Sequence, residues 1–327
     1  MATPIWQDTV IEIPASASGT DYTITIDNTG ATIFSGKAYV MGEDSNVSVN
    51  LNRICKDALS SKIELDGSTT IYHQPNYKRM FDVKWGLRKY RTTFYNDWSY
   101  TQLHEDKYAQ SLSVPLSDIV DPRQILMTTV AKISSGSAGE VRVEFYDGRA
   151  WHQVVNTIPS PCVTIAIPVS ELRDGKIIDV MNDVDEGVRR YRIEETCAQY
   201  CLYYLNAHGG FDHLLINGNA LRTDTFTRNE LTRDVNNATL KHGREYVSVK
   251  VTPKWQLHTD TLTDAQWALT HHLLGSTQVY LHDLEADEIT PVVITSSQAE
   301  FKTYRNQGNK KSSLTIEVEA SVERMRK

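Results

Sequence analysis

The 327-residue chain is poor in cysteine. Its four residues (Cys55, Cys162, Cys197 and Cys201) are too few for a disulfide scaffold. No run of 18 apolar residues occurs anywhere, which excludes a transmembrane helix and any expectation of membrane insertion. The first residues, Met1 to Asp8, carry neither a basic start nor an apolar stretch, so no export signal is expected there. Positive charge is not in excess either: 34 Lys and Arg stand against 41 Asp and Glu, a net charge of −7. A nucleic-acid-binding body normally shows a basic face, so nucleic acid is not an expected partner. The chain reads as one made in a reducing cytoplasm. With 40% hydrophobic and 23% charged residues it can still bury real cores.

Signatures of catalysis are equally scarce. There is no His-Glu-x-x-His, no Gly-x-Ser-x-Gly elbow and no phosphate-cradling loop. Ser135-Gly136-Ser137-Ala138-Gly139 reads as a small-residue hairpin loop, and His208-Gly209-Gly210-Phe211 as a tight turn closing a strand. His271 and His272, adjacent on a helix, point about 100° apart and are poorly placed to share an ion. Asp212 and His213 would lie on opposite faces of a strand. Cys197 and Cys201, with His208 and His213 downstream, have a metal flavour but lack a second cysteine pair. The aromatic neighbours Tyr200, Tyr203 and Tyr204 favour core packing on a shared strand face. The acidic clusters Asp183, Asp185, Glu186 and Glu285, Asp287, Glu288 read as solvated turns rather than a glycosidase pair. No enzyme, metal site or cofactor is expected.

What the chain does have is period-two alternation. Leu314 to Val322 alternates apolar and polar without a fault, as do Val47–Leu51, Val141–Phe145 and Val247–Val251. Each pattern puts apolar side chains on one face of a pleated strand, as in antiparallel sheets wet on one side. Turn signals separate them at Asp27-Asn28-Thr29-Gly30, Asp147-Gly148 and Asn217-Gly218. One helix is expected over 263–274. Thr263 and Gln266 form a capping box, Ala265, Trp267, Ala268, Leu269, Leu273 and Leu274 supply the apolar positions, and Gly275 offers a stop. A shorter helix is expected from Asn52 to Leu59. Further strands fall near 277–281, 290–295, 299–304 and 313–323.

The fold class expected is therefore mainly β with an α+β C-terminal domain. Tandem antiparallel β-sandwich-like modules over 1–112 and 113–240 precede a strand-helix-strand domain over 241–327. Tyr22 to Leu59 and Glu140 to Arg173 run through the same order of strands and turns, at an offset of roughly 110 to 120 residues. An internal duplication accounts for this; so does the rhythm that any two antiparallel domains share.

Aromatics are the best candidates for binding. The chain holds 16 Tyr, 6 Trp and 7 Phe. Tyr90, Phe94, Tyr95, Trp98, Tyr100 and Tyr108 cluster with polar Asn96, Asp97, Ser99 and Thr101 between them. Three readings are open: a sandwich core with its edge loop, a subunit contact, or a platform stacking on host glycan.

The segment Cys197 to Asp212 with Leu214 to Asn219 resembles a pattern in tail or baseplate structural proteins of bacteriophages and prophages, of a distal-tail-like kind. So do Asn96-Asp97-Trp98-Ser99-Tyr100, Leu257 to Asp264, Val292 to Thr295 and Phe301 to Tyr304. The resemblance covers most of the chain, with Phe211 standing where tryptophan is usual. It implies a non-enzymatic virion structural protein, made in the bacterial host cytoplasm and placed near the distal end of a tail. Its expected partners are copies of itself, in a ring or trimer, and other tail proteins. The alternative is a carbohydrate-binding adhesion module on a tail or cell surface.

Overall fold

The computed structural model describes residues 3–5, 9–13, 21–28, 31–39, 47–59, 63, 65, 68–74, 77–85, 88–96, 110–132, 139–159, 161–172, 174–182, 187–232, 244–260, 262–296, 313–322 and 324–325. The fold is mainly β, with most strands in antiparallel sheets. The apolar alternation explains why, since each such strand has one face to bury.

In the N-terminal unit, five strands lie in the order Thr3–Pro4, Arg88–Tyr95, Lys78–Trp85, Asp21–Asn28, Ala31–Tyr39. Only the first pairing is parallel. A two-stranded ribbon, Val10–Ile13 with Val47–Asn50, leads into helix α1 (Leu51–Leu59). Leu51, Cys55 and Leu59 recur every four residues, so they share one helix face, and all three are fully buried in one cluster with Phe81, Val83 and Phe94.

The second unit repeats this topology strand for strand. Its sheet runs Ile119–Val120, Gly187–Ile193, Ile177–Asn182, Val141–Tyr146, Trp151–Thr157, again with a parallel first pair. Ile125–Ala131 and Cys162–Pro168 stand where the two-stranded ribbon stood, and the short 3₁₀ turn Val169–Glu171 where α1 stood. Two further strands, Thr70–His73 and Gln110–Ser111, widen that ribbon to a four-stranded sheet.

The C-terminal sheet runs Phe211–Ile216, Tyr200–Leu205, Val279–Asp283, Glu288–Ile294, Thr315–Ala320, Arg244–His258, Ala220–Thr232, with Arg324–Met325 also on Arg244–His258. Helix α2 (Asp264–Leu274) begins with the expected capping box at Thr263 and Gln266. Gln266 also donates to the carbonyl of Leu116 at 2.8 Å, tying the helix start to a distant segment. The buried face is Trp267, Thr270 and Leu273, while Ala265 and Ala268 are not buried, so the helix presents a narrower side than its apolar content suggests. Gly275 ends the helix at an ordinary φ of −88°.

Strand pairing crosses the expected divisions at 112/113 and 240/241. Thr70–His73 belongs to the second unit, and Tyr200–Leu205, Phe211–Ile216 and Ala220–Thr232 belong to the C-terminal sheet. Alternation reveals a strand but not its partner, which explains the shift. The two central strands of the four-stranded sheet, Ile125–Ala131 and Cys162–Pro168, are buried on both faces. Leu126, Val130, Ile165 and Ile167 join the sandwich core, while Ile125, Met127 and Ala166 pack with Cys201, Tyr203 and Phe211. That double burial is why ILMTTVA and CVTIAIP read as continuous rather than alternating runs. Among the described residues, no helix is long and apolar enough to cross a membrane. The strand expected at 299–304 lies outside the described residues.

Candidate assembly surface

Ala220–Thr232 and Arg244–His258 are the longest strands, at 13 and 15 residues. They pair along the whole of the shorter one, from Ala220 opposite Leu257 to Thr232 opposite Arg244. At about 3.3 Å per residue that strand spans about 40 Å. On its other side, Arg244–His258 pairs only at Lys250–Val251 and Lys254–His258 among the described residues. Among the described residues, the pair therefore begins as the end of a sheet and continues as a two-stranded arm. Every residue from Leu221 to Glu230 is exposed.

Local chemistry explains why the arm is extended. Thr223, Thr225 and Thr227 are β-branched, and no Pro or Gly interrupts 220–232. The register shift between Asn229 and Glu230 places the extra residue, Val247, on the inner strand, so the outer strand keeps an unbroken alternation. One face carries Arg222, Asp224, Phe226, Arg228 and Glu230, opposite Trp255, Pro253, Val251, Val249 and Tyr246. Phe226 and Tyr246 are 47% and 60% exposed, and the guanidinium of Arg228 lies 5.9 Å and 5.5 Å from their ring centres. Arg222 bonds Asp224 at 3.1 Å and covers the Trp255 ring at 5.6 Å. At the arm's root is a groove of about 250 Å³, lined by Arg222, Pro253, Trp255, Pro291 and Val322 among others.

The six aromatics singled out from the sequence do not share a surface. Tyr90 is exposed on strand Arg88–Tyr95. Phe94 is fully buried, with its ring 5.9 Å from that of Phe81. Tyr95 is buried with Tyr77, Leu112, Ala131 and Cys162. Phe94 and Tyr95 are therefore core residues, closed to a glycan or a neighbouring subunit. Trp98, Tyr100 and Tyr108 lie outside the described residues. A different aromatic pair is accessible: Trp151 is 45% exposed with its ring 5.3 Å from Tyr146, beside the Asp147-Gly148 turn.

Cys201 is buried in the core, and burial pushes its thiol well above the usual range. Cys197 is exposed and precedes the strand, so the two do not share a strand face as the sequence suggested. Among the described residues no His, Cys, Asp and Glu group could hold a metal ion. Asp212 and His213 do point to opposite sides: Asp212 bonds Asn206, and His213 lies against the Tyr191 ring. Burial holds the His213 imidazole down at about 4. His282 is buried between the Tyr203 hydroxyl (3.1 Å) and the exposed Asp287 (3.0 Å). The turn after it is closed by Asp283, which accepts from the backbone of Glu285 and Ala286. The cluster Asp183, Asp185, Glu186 lies outside the described residues.

The turn at Asn206–Asp212 is where the three units meet. Asn206 accepts from the backbone of His208 and Gly210 and donates to Leu112 and Asp212. Tyr77 donates to the His208 carbonyl, and Phe211 donates from its backbone to Thr129. Each of these groups serves another part of the same chain, which makes this turn a structural joint.

Sequence reasoning misses the arm because its outer strand has no apolar face to alternate. The available signal is threonine at 223, 225 and 227, with Arg222, Asp224 and Arg228 alternating with them around Phe226. No protein-family model and no curated protein matches this chain.

Proposed function

We propose that this chain is a non-enzymatic structural subunit of a bacteriophage tail or baseplate, in the distal tail or tail tip. It would assemble in the virion with copies of itself and with other tail proteins. The observation that carries the reading is the arm. A two-stranded hairpin standing alone in water is marginally stable at best, and a long exposed edge strand invites another chain. A fold whose 13-residue edge strand runs on past the described sheet at Arg228–Thr232, with Phe226 and Tyr246 exposed along the pair, is built to be completed by a neighbour. The virion context comes from the sequence resemblance, and a repeated sandwich followed by an armed sheet suits a protein that bridges several neighbours.

The test is negative-stain imaging of the purified full chain across a concentration series, alone and mixed with neighbouring tail proteins. Rings or trimers of uniform size are expected. Uniform monomers throughout, with no co-assembly, would remove the reading.

A second reading, carbohydrate binding on a tail or cell surface, is favoured by the exposed Trp151 beside Tyr146. Aromatic faces of this kind stack on sugar rings. Glycan-array binding that disappears in Trp151→Ala would promote it, and a blank array would dismiss it.

A further inference from the structure

The outer strand of the arm is self-complementary. Centred on Phe226, the sequence reads Arg222, Thr223, Asp224, Thr225, Phe226, Thr227, Arg228, Asn229, Glu230. Laid antiparallel against a second copy of itself about that centre, Arg222 falls opposite Glu230 and Asp224 opposite Arg228. Thr223 meets Asn229, Thr225 meets Thr227, and Phe226 meets Phe226. Because the pairing is two-fold, each charged pair occurs twice. We propose that the free edge of Ala220–Thr232 binds the same edge of a second copy of this chain, forming one continuous sheet across a two-fold axis through Phe226.

Three observations converge on this occupant. The edge is open: Ala220–Thr232 ends its sheet and pairs only with Arg244–His258 among the described residues. The strand is regular, since the extra residue of the bulge lies on the inner strand, so a partner meets an unbroken ladder. Finally, charge selects one register. In an antiparallel pair, slips that keep the same backbone groups facing one another move in steps of two residues. One such slip, centred on Thr225, sets Arg222 against Arg228; the other, centred on Thr227, sets Asp224 against Glu230. Like charges directly opposite are destabilising, whereas the Phe226-centred register has opposite charges at both positions. Phe226 also lies opposite Val251 within the chain, so pairing would build an apolar row of Val251, Phe226, Phe226 and Val251 across four strands. An isologous contact of this kind closes at two copies, leaving other surfaces to build anything larger.

This inference deepens the reading of the arm as an assembly surface and rests on it, and its test is separable from the virion role. Full-length protein is compared by sedimentation velocity as wild type, Asp224→Arg, Arg228→Asp and the double exchange. Each single exchange puts like charges opposite one another at two places, and is expected to weaken dimerisation by about tenfold or more. The double exchange should restore it. Residues 224 and 228 are about 13 Å apart along one strand, so a role within one chain would give no such rescue. A second arm uses Phe226→Cys in a Cys197→Ser background. Directly opposed residues bring Cα atoms to about 4.5–5.5 Å, within disulfide range, so a covalent dimer should form under mild oxidation. Thr223→Cys in the same background, which meets Asn229 rather than itself, should not cross-link. Near-ultraviolet circular dichroism checks folding of every variant. A wild type that stays monomeric, together with a Phe226→Cys variant that does not cross-link, overturns the proposal. So does a dimer indifferent to the single exchanges, or one that the double exchange does not rescue. Rings that persist without arm pairing would sink this inference and leave the assembly role standing. Paired dimers that build nothing larger and join no tail protein would do the reverse.

Discussion

The side-chain amide of Asn206 donates to the carboxylate of Asp212 at 2.8 Å, and both side chains are buried. The backbone N–H of Val114 donates to the other carboxylate oxygen at 2.7 Å. Burial pushes the Asp212 carboxyl up to about 7, and these hydrogen bonds offset only part of that rise. The unfolded carboxyl ionises near pH 4 while the folded one keeps its proton to about pH 7. The folded state therefore holds more protons in that window. The stability contribution is present below pH 4 and is lost as pH rises toward 7, by up to about 1.4 kcal/mol per unit. Asp212→Asn removes this dependence. Urea titrations at intervals from pH 4 to 8 should show the wild type losing ground steadily to the variant, and a constant gap would contradict it.

Asp121 has the opposite sign. Burial raises its pKa, but hydrogen bonds from Arg123 and Thr196 outweigh that and hold the carboxyl down at about 2. Its contribution is present above about pH 4 and lost as pH falls toward 2. Asp121→Asn is expected to cost about 1–3 kcal/mol at pH 7, where hydrogen bonds to a charged group are lost, and progressively less in acid. Denaturation midpoints at pH 7 and pH 3 decide this; equal losses at both would rule out the ionised carboxylate as the cause.

Gly209 sits at a φ of +80°, and a Cβ there would collide with the backbone carbonyl of Asn96. Both the left-handed backbone and the close approach of the N-terminal unit require glycine. Gly209→Ala should cost about 2 kcal/mol or more. Equilibrium unfolding measures it, and a loss under about 0.5 kcal/mol would mean that the joint between units yields easily.

Phe94 and Tyr90 lie four residues apart on one strand, with opposite fates. Phe94→Ala empties a fully buried site beside Phe81 and is expected to cost about 3–5 kcal/mol. Tyr90→Ala, at an exposed position, should stay within about 0.5 kcal/mol. Thermal unfolding of the two variants side by side tests the assignment, which fails if their losses are similar.

The legible part of the fold was local. The capping box of Thr263 and Gln266, the strand Thr315–Ala320 and the Asp147-Gly148 turn form where sequence places them, because each depends on residues a few positions apart. The repeated order of strands in the first two units was visible for the same reason. Which strands join was not. Thr70–His73 pairs with Cys162–Pro168, about 90 residues away, and nothing within either segment specifies the other.

The candidate site divides in the same way. Residues 90–108 are rich in aromatics, yet an aromatic side chain serves a core as readily as a surface. Only packing placed Phe94 and Tyr95 inside and Trp151 outside. The arm inverts this relation: the palindrome about Phe226 is present in the residues, but it acquires meaning only where they form an edge left unpaired among the described residues. Residue order alone settled the β-rich class, the helix caps and the turns, because periodicity and hydrogen-bonding groups act over short distances. Folding in three dimensions decided which faces are buried and which edge stays open, since those depend on long-range pairing among strands of similar pattern.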